Sequence, residues 1–370
     1  MGELPLYLRH IQTKDMHRGL LFDKFFYYST LGEKAGENDK KGFLQNFKGS
    51  CGDAESIKSY ATKQLNLIES IGGTAMIFST QWHFVTGMGI DHPLENGMAW
   101  HHTLGTPYIA GSGVKGMFRA YLWEWSDVQK EQIQQIQQIL RWCGYTKEEG
   151  KKYGLKGEST GTLIFFDAIP VEPVILAPDV MTPHMGDWYE KGGEEQHNAD
   201  NPPADWYNPV PVLFLAVKKA SFLFGIAPRN EEVKADLKDA MKYLGEALEF
   251  VGAGAKTAAG YGRFDKAENH KFLTQYQKDK EQANKIALER EKAKELEKLS
   301  PVDRIFAQIG DDIANLIKAL EEDKFGDDRK NAALKIKELM ESKKDWDPNG
   351  DPNKSKSAKR TKKVQKFLGE

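Results

Sequence analysis

The hydrophobic period of this chain switches repeatedly between about residues 73 and 264, and that switching restricts the fold more than any other feature. Thr74–Val85 alternates, with Met76, Phe78, Trp82 and Phe84 on one face, and predicts a half-buried strand. Val114–Trp125 carries Val114, Phe118, Tyr121, Leu122 and Trp125 on one helical stripe. Thr162–Ala168 (TLIFFDA) is a short apolar run bounded by Gly161 and Pro170, the pattern of a buried strand. Val212–Val217 and Ser221–Ile226 are further strand candidates. Glu231–Phe250 predicts a helix that turns Val233, Leu237, Met241, Leu244 and Leu248 inward, with Gly252 just past its end. Tyr261–Phe264 is a brief last strand.

The order β, α, β, β, α, β is that of two interleaved βαβ units. It predicts an α+β fold with a ferredoxin-like (RRM-type) core over 73–264. Residues 1–72 read as a mainly helical segment packed on that core. Within it Ile57, Ala61, Leu65, Ile68 and Ile71 recur at helical spacing behind a capping Asp53. Residues 265–370 read as a charged helical extension, with a helix over Lys271–Leu299 and a second opened by the Ser300-Pro301 pair. Its end has seven basic residues and no acid between Lys354 and Lys366. That tract reads as a solvated, disordered terminus, with an RNA- or partner-touching basic arm as the alternative.

Cys51 and Cys143 are too few for a disulfide framework or a four-thiolate zinc site, which fits a reduced cytoplasm. No segment has the length of a membrane span and no leader is evident, so a soluble cytoplasmic protein is expected, without membrane contact. The net charge of −2 excludes bulk attraction to nucleic acid. From residue 265 onward there are 25 Lys and Arg against 22 Asp and Glu, so the remainder is mildly acidic. Any phosphate site on the core must therefore be assembled locally.

Two glycine-rich segments could do this. In the first, GTPYIAGSGVKGMFR (105–119), Gly111, Gly113 and Gly116 allow backbone amides to approach an anion. The start of a helix adds partial positive charge, and Lys115 and Arg119 add full charges. It is not a P-loop, since Met117 stands where lysine should follow Gly116. In the second, FVGAGAKTAAGYGRF (250–264), Gly252, Gly254, Gly260 and Gly262 flank Lys256 between the second core helix and the last strand.

Taken together, the two segments resemble the RAMP superfamily of CRISPR-associated proteins. More narrowly, TGMGIDHPLENGMAWHHTLGTPYIAGSGVKGMFR, PDVMTPHMGDWYEKG, DWYNPVPVLFLAV and GAGAKTAAGYGRF look like the sixth-subunit family of the type III-B (Cmr) effector complex. The resemblance implies a subunit at one end of a helical backbone that grips CRISPR RNA, with complementary target RNA and other Cmr-type subunits as partners. It further implies that Gly111, Ser112, Lys115, Gly116 and Arg119 line the guide backbone. Gly252, Gly254, Lys256 and Gly260 would form the glycine-rich loop, with Tyr261 and Arg263 nearby. It assigns no role to the extension after Phe264.

The same resemblance places a thumb-like insertion at 171–209, with Met181, His184, Trp188 and Tyr189 as candidates to wedge into a guide–target duplex. The residues alone also allow a crossing loop whose aromatics pack back on the core. His83, His92, His101 and His102 offer no helical pair of ligands, so no metal or other cofactor is expected. Asp91 occupies the loop in which related backbone subunits carry a cleaving aspartate. Asp91-His92-Pro93 also fits a turn, so no catalytic residue is assigned and an Asp91 endoribonuclease is the alternative.

Overall fold

The structure, a computed structural model, describes residues 17–26, 37–124, 133–191, 202–204 and 206–369. The chain divides near residue 274 into two compact units. Trp125, expected on the first core helix, lies outside the described residues.

The first unit opens with α1 (Arg18–Phe25), α2 (Glu37–Gln45), β1 (Gly49–Cys51) and α3 (Ala54–Ser70). The Asp53 carboxylate caps α3 by accepting from Ser56 N at 2.8 Å. Ile57, Ala61, Leu65 and Ile68 are buried as their spacing predicts, while Ile71, expected on the same stripe, is the helix C-cap and stays exposed. Next come β2 (Thr74–Thr80), α4 (Gly111–Glu124), α5 (Ile133–Cys143), α6 (Lys147–Lys152), β3 (Leu163–Phe165) and β4 (Ile169–Pro170). β5 (Val174–Met181), α7 (Gly186–Lys191), β6 (Val212–Lys219), β7 (Ser221–Pro228), α8 (Leu237–Phe250) and β8 (Phe264–Lys266) complete it.

One sheet has the order β3-β7-β2-β8, every neighbour antiparallel, with β4 also on β7. β7 (SFLFGIAP) is apolar without alternation because it is buried at every position. Gly225 lets α3 approach closely: a Cβ there would lie 2.3 Å from Ile68 Cδ1. In the core Phe78 and Phe224 meet edge-on at 5.5 Å, and Phe224 meets Phe264 at 5.8 Å.

A second sheet has the order β1-β5-β6. Its β5 strand occupies the first part of the 171–209 insertion, a stretch in which the sequence pattern shows no strand. Pro178 and Asp179 disguise the strand in sequence, yet Pro178 pairs with Leu215 and Asp179 with Phe214.

Two further expectations shift. The strand starting at Thr74 stops at Thr80 rather than Val85, because the chain changes sheets there. Thr80 N donates to Ala220 O (2.9 Å), whereas Phe84 exchanges hydrogen bonds with Val217 of β6 (2.8 Å each). Phe84 is therefore buried, but Trp82, expected beside it, is 51% exposed. The last strand begins at Phe264, since residues 261–263 close the loop before it.

α9 (Lys271–Lys298) begins just before the division at residue 274, and within the second unit it leads to α10 (Pro301–Ile309), α11 (Ile313–Glu321), α12 (Arg329–Ser342) and α13 (Lys356–Leu368). Val302, Leu316, Leu320, Ile336, Met340 and Val364 form its core. The basic C-terminus is thus helical, not disordered. Ser355 caps α13, Ala358, Thr361 and Val364 bury one face of it, and Thr361 Oγ1 accepts from Asp347 N at 2.9 Å. Among the described residues no helix is long and apolar enough to cross a membrane.

Candidate nucleic-acid interface

α8 ends when Val251 N and Gly252 N both return to Ala247 O, at 3.0 and 2.9 Å. The chain then folds onto itself. Ala253 N donates to Gly262 O, Ala255 N to Val85 O and Gly262 N to His83 O, each at 2.8 Å. Glycine is obligatory at two points. A Cβ on Gly254 (φ +87°) would sit 2.1 Å from Val85 O, and one on Gly262 (φ +70°) 1.9 Å from Ala253 O. Lys256 also takes a left-handed conformation (φ +60°) and begins a single 3₁₀ turn over Thr257–Ala259. Its ammonium lies 5.5 Å from the centre of the Phe214 ring. The loop amides at 253, 255 and 262 are therefore spent on rigidity, and Lys256 supplies the charge.

Beside this loop is a cluster that the sequence did not single out. Tyr261 Oη donates to Asp179 Oδ2 at 2.8 Å, and His83 Nδ1 shares the same oxygen at 2.9 Å. Burial opposes ionisation of Asp179, but the hydrogen bonds from His83, Tyr261 and Val180 N outweigh it and hold the carboxyl below its ordinary range. The Tyr261 hydroxyl is pushed up to about 12 by burial and by that carboxylate. Trp82 stacks on His83 with centroids 4.8 Å apart and planes within 6°. In sequence His83 stands out only as one of several clustered histidines, and Asp179 lies in a strand whose apolar pattern is broken by Pro178. The usable trace was an aromatic-histidine pair directly after a strand.

The first glycine segment is built differently. Gly111 N donates to Asp167 Oδ1 at 2.6 Å, so a carboxylate of the chain already caps α4 where a phosphate was expected. Gly113 N and Val114 N turn back to Ala110 O. Lys115 Nζ donates to Thr160 O at 3.1 Å. Arg119 is tied to Glu149 and to Gly144 O. Ser112 and Gly116 are exposed. The two glycine segments do not form one site: Lys115 bonds the chain entering edge strand β3, whereas Lys256 precedes the opposite edge strand, β8.

Arg263 donates to Glu249 O at 3.3 Å, holding the loop to the end of α8. Among the thumb candidates, Met181 packs beside Phe214 and Tyr261, and His184 is exposed. Trp188 meets Tyr189 edge-on at 5.3 Å in α7. Tyr189 and Trp206 are 65% and 73% exposed, so these aromatics do not pack back on the core. Asp91 is exposed, and its neighbour His92 is turned away: that ring stacks on Phe22 at 4.3 Å, with Nε2 on Phe22 O and Nδ1 accepting from Leu94 N. Among the described residues no three of His, Cys, Asp and Glu converge as metal ligands.

A family model described as the RAMP superfamily matches residues 71–265. The CRISPR system Cmr subunit Cmr6 of Pyrococcus furiosus is 29% identical over 253 residues, covering 56% of this chain and 72% of the relative. The Cmr6 subunit of Saccharolobus solfataricus is 25% identical over 221 residues, covering 58% of this chain and 65% of the relative, just under two thirds of its length. Among solved structures, a type III-B Cmr-beta complex bound to cognate target RNA contains a chain 22% identical, with a TM-score of 0.42 over 64% of this chain and 77% of that one. Crystalline Cmr6 from Pyrococcus furiosus is 26% identical, with a TM-score of 0.31 over 52% of this chain and 97% of that one.

Proposed function

The chain belongs to the RAMP superfamily, and we propose that it serves as a non-catalytic CRISPR RNA-binding subunit capping the backbone of a type III-B (Cmr) effector complex. Its partners would be CRISPR RNA, complementary target RNA and other Cmr-type subunits, in cytoplasmic RNA-guided antiviral defence. The strand order β3-β7-β2-β8 supports a ferredoxin-like core, because that is the order two interleaved βαβ units generate.

One observation carries the reading: the rigid loop over 252–263 holds Lys256 beside an aromatic cluster at the end of the β5–β6 hairpin where the two strands pass into their connecting segment. A fixed cation and π-faces together suit single-stranded RNA, whose backbone is anionic and whose bases stack. Lys256 and Lys115 are the proposed phosphate contacts, Lys115 through the two ammonium donors it keeps beyond the one given to Thr160 O, with Ser112, Gly116 and Gly260 beside them. Arg119 and Arg263 would act by holding their loops, since both guanidiniums bond to the chain itself. The hairpin with its exposed Tyr189 and Trp206 is the proposed thumb. The engaged ring of His92 supports the non-catalytic reading over cleavage by Asp91, because the imidazole next to it in sequence is already committed to Phe22 O and Leu94 N.

Affinity purification of the full chain from its host, followed by native mass spectrometry and RNA sequencing, tests the assignment. Repeat-derived guide RNA and Cmr-type subunits should co-purify; isolation of the chain free of both would overturn it.

A further inference from the structure

An indole that is half exposed and yet held still has a use. Trp82 is such a residue. On its N-terminal side Gln81 N donates to Arg263 O at 2.9 Å and Gln81 Nε2 to Asp265 Oδ1 at 2.7 Å. On its C-terminal side His83 O accepts from Gly262 N, and Phe84 exchanges hydrogen bonds with Val217. The ring itself lies flat on His83, whose Nδ1 is fixed by Asp179. With backbone and ring both restrained, little freedom remains to be lost when something binds.

The centroids of Trp82, His83 and Tyr261 form a triangle of 4.8, 4.8 and 6.1 Å. His83 and Tyr261 therefore occupy adjacent sides of the indole, not opposite ones. Among the described residues no aromatic covers the face away from His83, and 51% of the residue is exposed. The row continues inward: Tyr261 lies 6.1 Å from Phe214, and Phe214 lies 5.5 Å from the Lys256 ammonium.

We propose that Trp82 is a stacking platform for one unpaired base of the RNA whose phosphate Lys256 holds, an inference that rests on the RNA-binding reading above. Flat π-contact reads no hydrogen-bonding edge, so the platform accepts any base and requires only that it be unpaired. Such a site suits a strand held for pairing elsewhere along its length.

The test compares binding of the full-length protein to a 12-nucleotide oligouridylate and to a 12-unit abasic ribose-phosphate oligomer. For Trp82→Ala, binding of the oligouridylate should weaken by about 5- to 150-fold, while binding of the abasic oligomer stays unchanged. Trp82→Phe should retain most of the oligouridylate affinity, which also controls for folding. Equal loss on both oligomers, or loss of a subunit contact with both affinities intact, would overturn the platform while leaving RNA binding in place. Failure of the wild-type protein to bind either oligomer would instead remove the RNA-binding reading and the platform with it.

Discussion

The hydroxyl of Tyr261 donates to Asp179 across 2.8 Å and so ties the glycine-rich loop to strand β5 of the hairpin. Removing the donor in Tyr261→Phe leaves a part-buried carboxylate short of one partner. We expect a loss of about 1.5 kcal/mol in denaturant unfolding. An unaltered midpoint would mean that the loop and hairpin are not coupled there.

The same contact sets a pH dependence. The native Asp179 carboxyl lies below its ordinary value, so its contribution to stability is complete above the unfolded value of about 3.9 and fades as pH falls toward the native one. Asp179→Asn should therefore cost stability at pH 7, and the difference from wild type should shrink below about pH 4. A difference that is constant down to the acid limit would remove the ionic component.

Glycine positions in the loop are not equivalent. Both Gly254 and Gly260 have positive φ, but a Cβ on Gly254 meets Val85 O at 2.1 Å while one on Gly260 meets nothing within 4 Å. Gly260→Ala should cost about 1 kcal/mol from backbone strain alone. Gly254→Ala should lower the melting temperature severalfold more, and equal shifts would contradict this geometry.

The α13 helix is part of a core, so deleting residues 356–370 uncovers the faces against which Val364 and Ala358 pack. Calorimetry of that truncated protein should lose the transition of the second unit and keep that of the first. Two retained transitions would show that α13 is dispensable.

Burial pushes both the Cys51 and Cys143 thiols up to about 12. In the native protein at pH 8 neither should react with a disulfide reagent within the assay, and both should react in denaturant. Fast native labelling of either thiol would contradict their burial.

Much of this fold is legible in local pattern. Leu237, Met241, Leu244 and Leu248 at helical spacing, and the unbroken apolar run of β7, are consequences of burial that a sequence displays directly. Position along the sheet is less visible, because the exit of the chain at Thr80 depends on hydrogen bonds to residues 220 and 217, far away in sequence. Trp82 consequently alternates correctly with Phe84 and still faces solvent. β5 is concealed by Pro178, which a paired strand position tolerates here. The glycine segments announce themselves, but not what their amides bond. Asp167 at the start of α4 and Glu149 beside Arg119 are distant groups that occupy donors the local motif appears to leave open. The basic tail misleads for the opposite reason. Its charges outnumber its three buried residues, yet Ala358, Thr361 and Val364 at spacing three are enough to seat a capped helix.

The proposed function stands on the contact that Lys256 makes with an RNA phosphate from a preformed loop. Its direct measurement is the salt dependence of guide RNA binding by the full-length Lys256→Gln protein, which keeps the left-handed residue and removes the charge. Affinity should fall by a similar factor for guides of different sequence. The slope of log K against log salt should flatten by about 0.7, the share of one single-strand phosphate. Unchanged affinity and an unchanged slope would mean that Lys256 touches no phosphate.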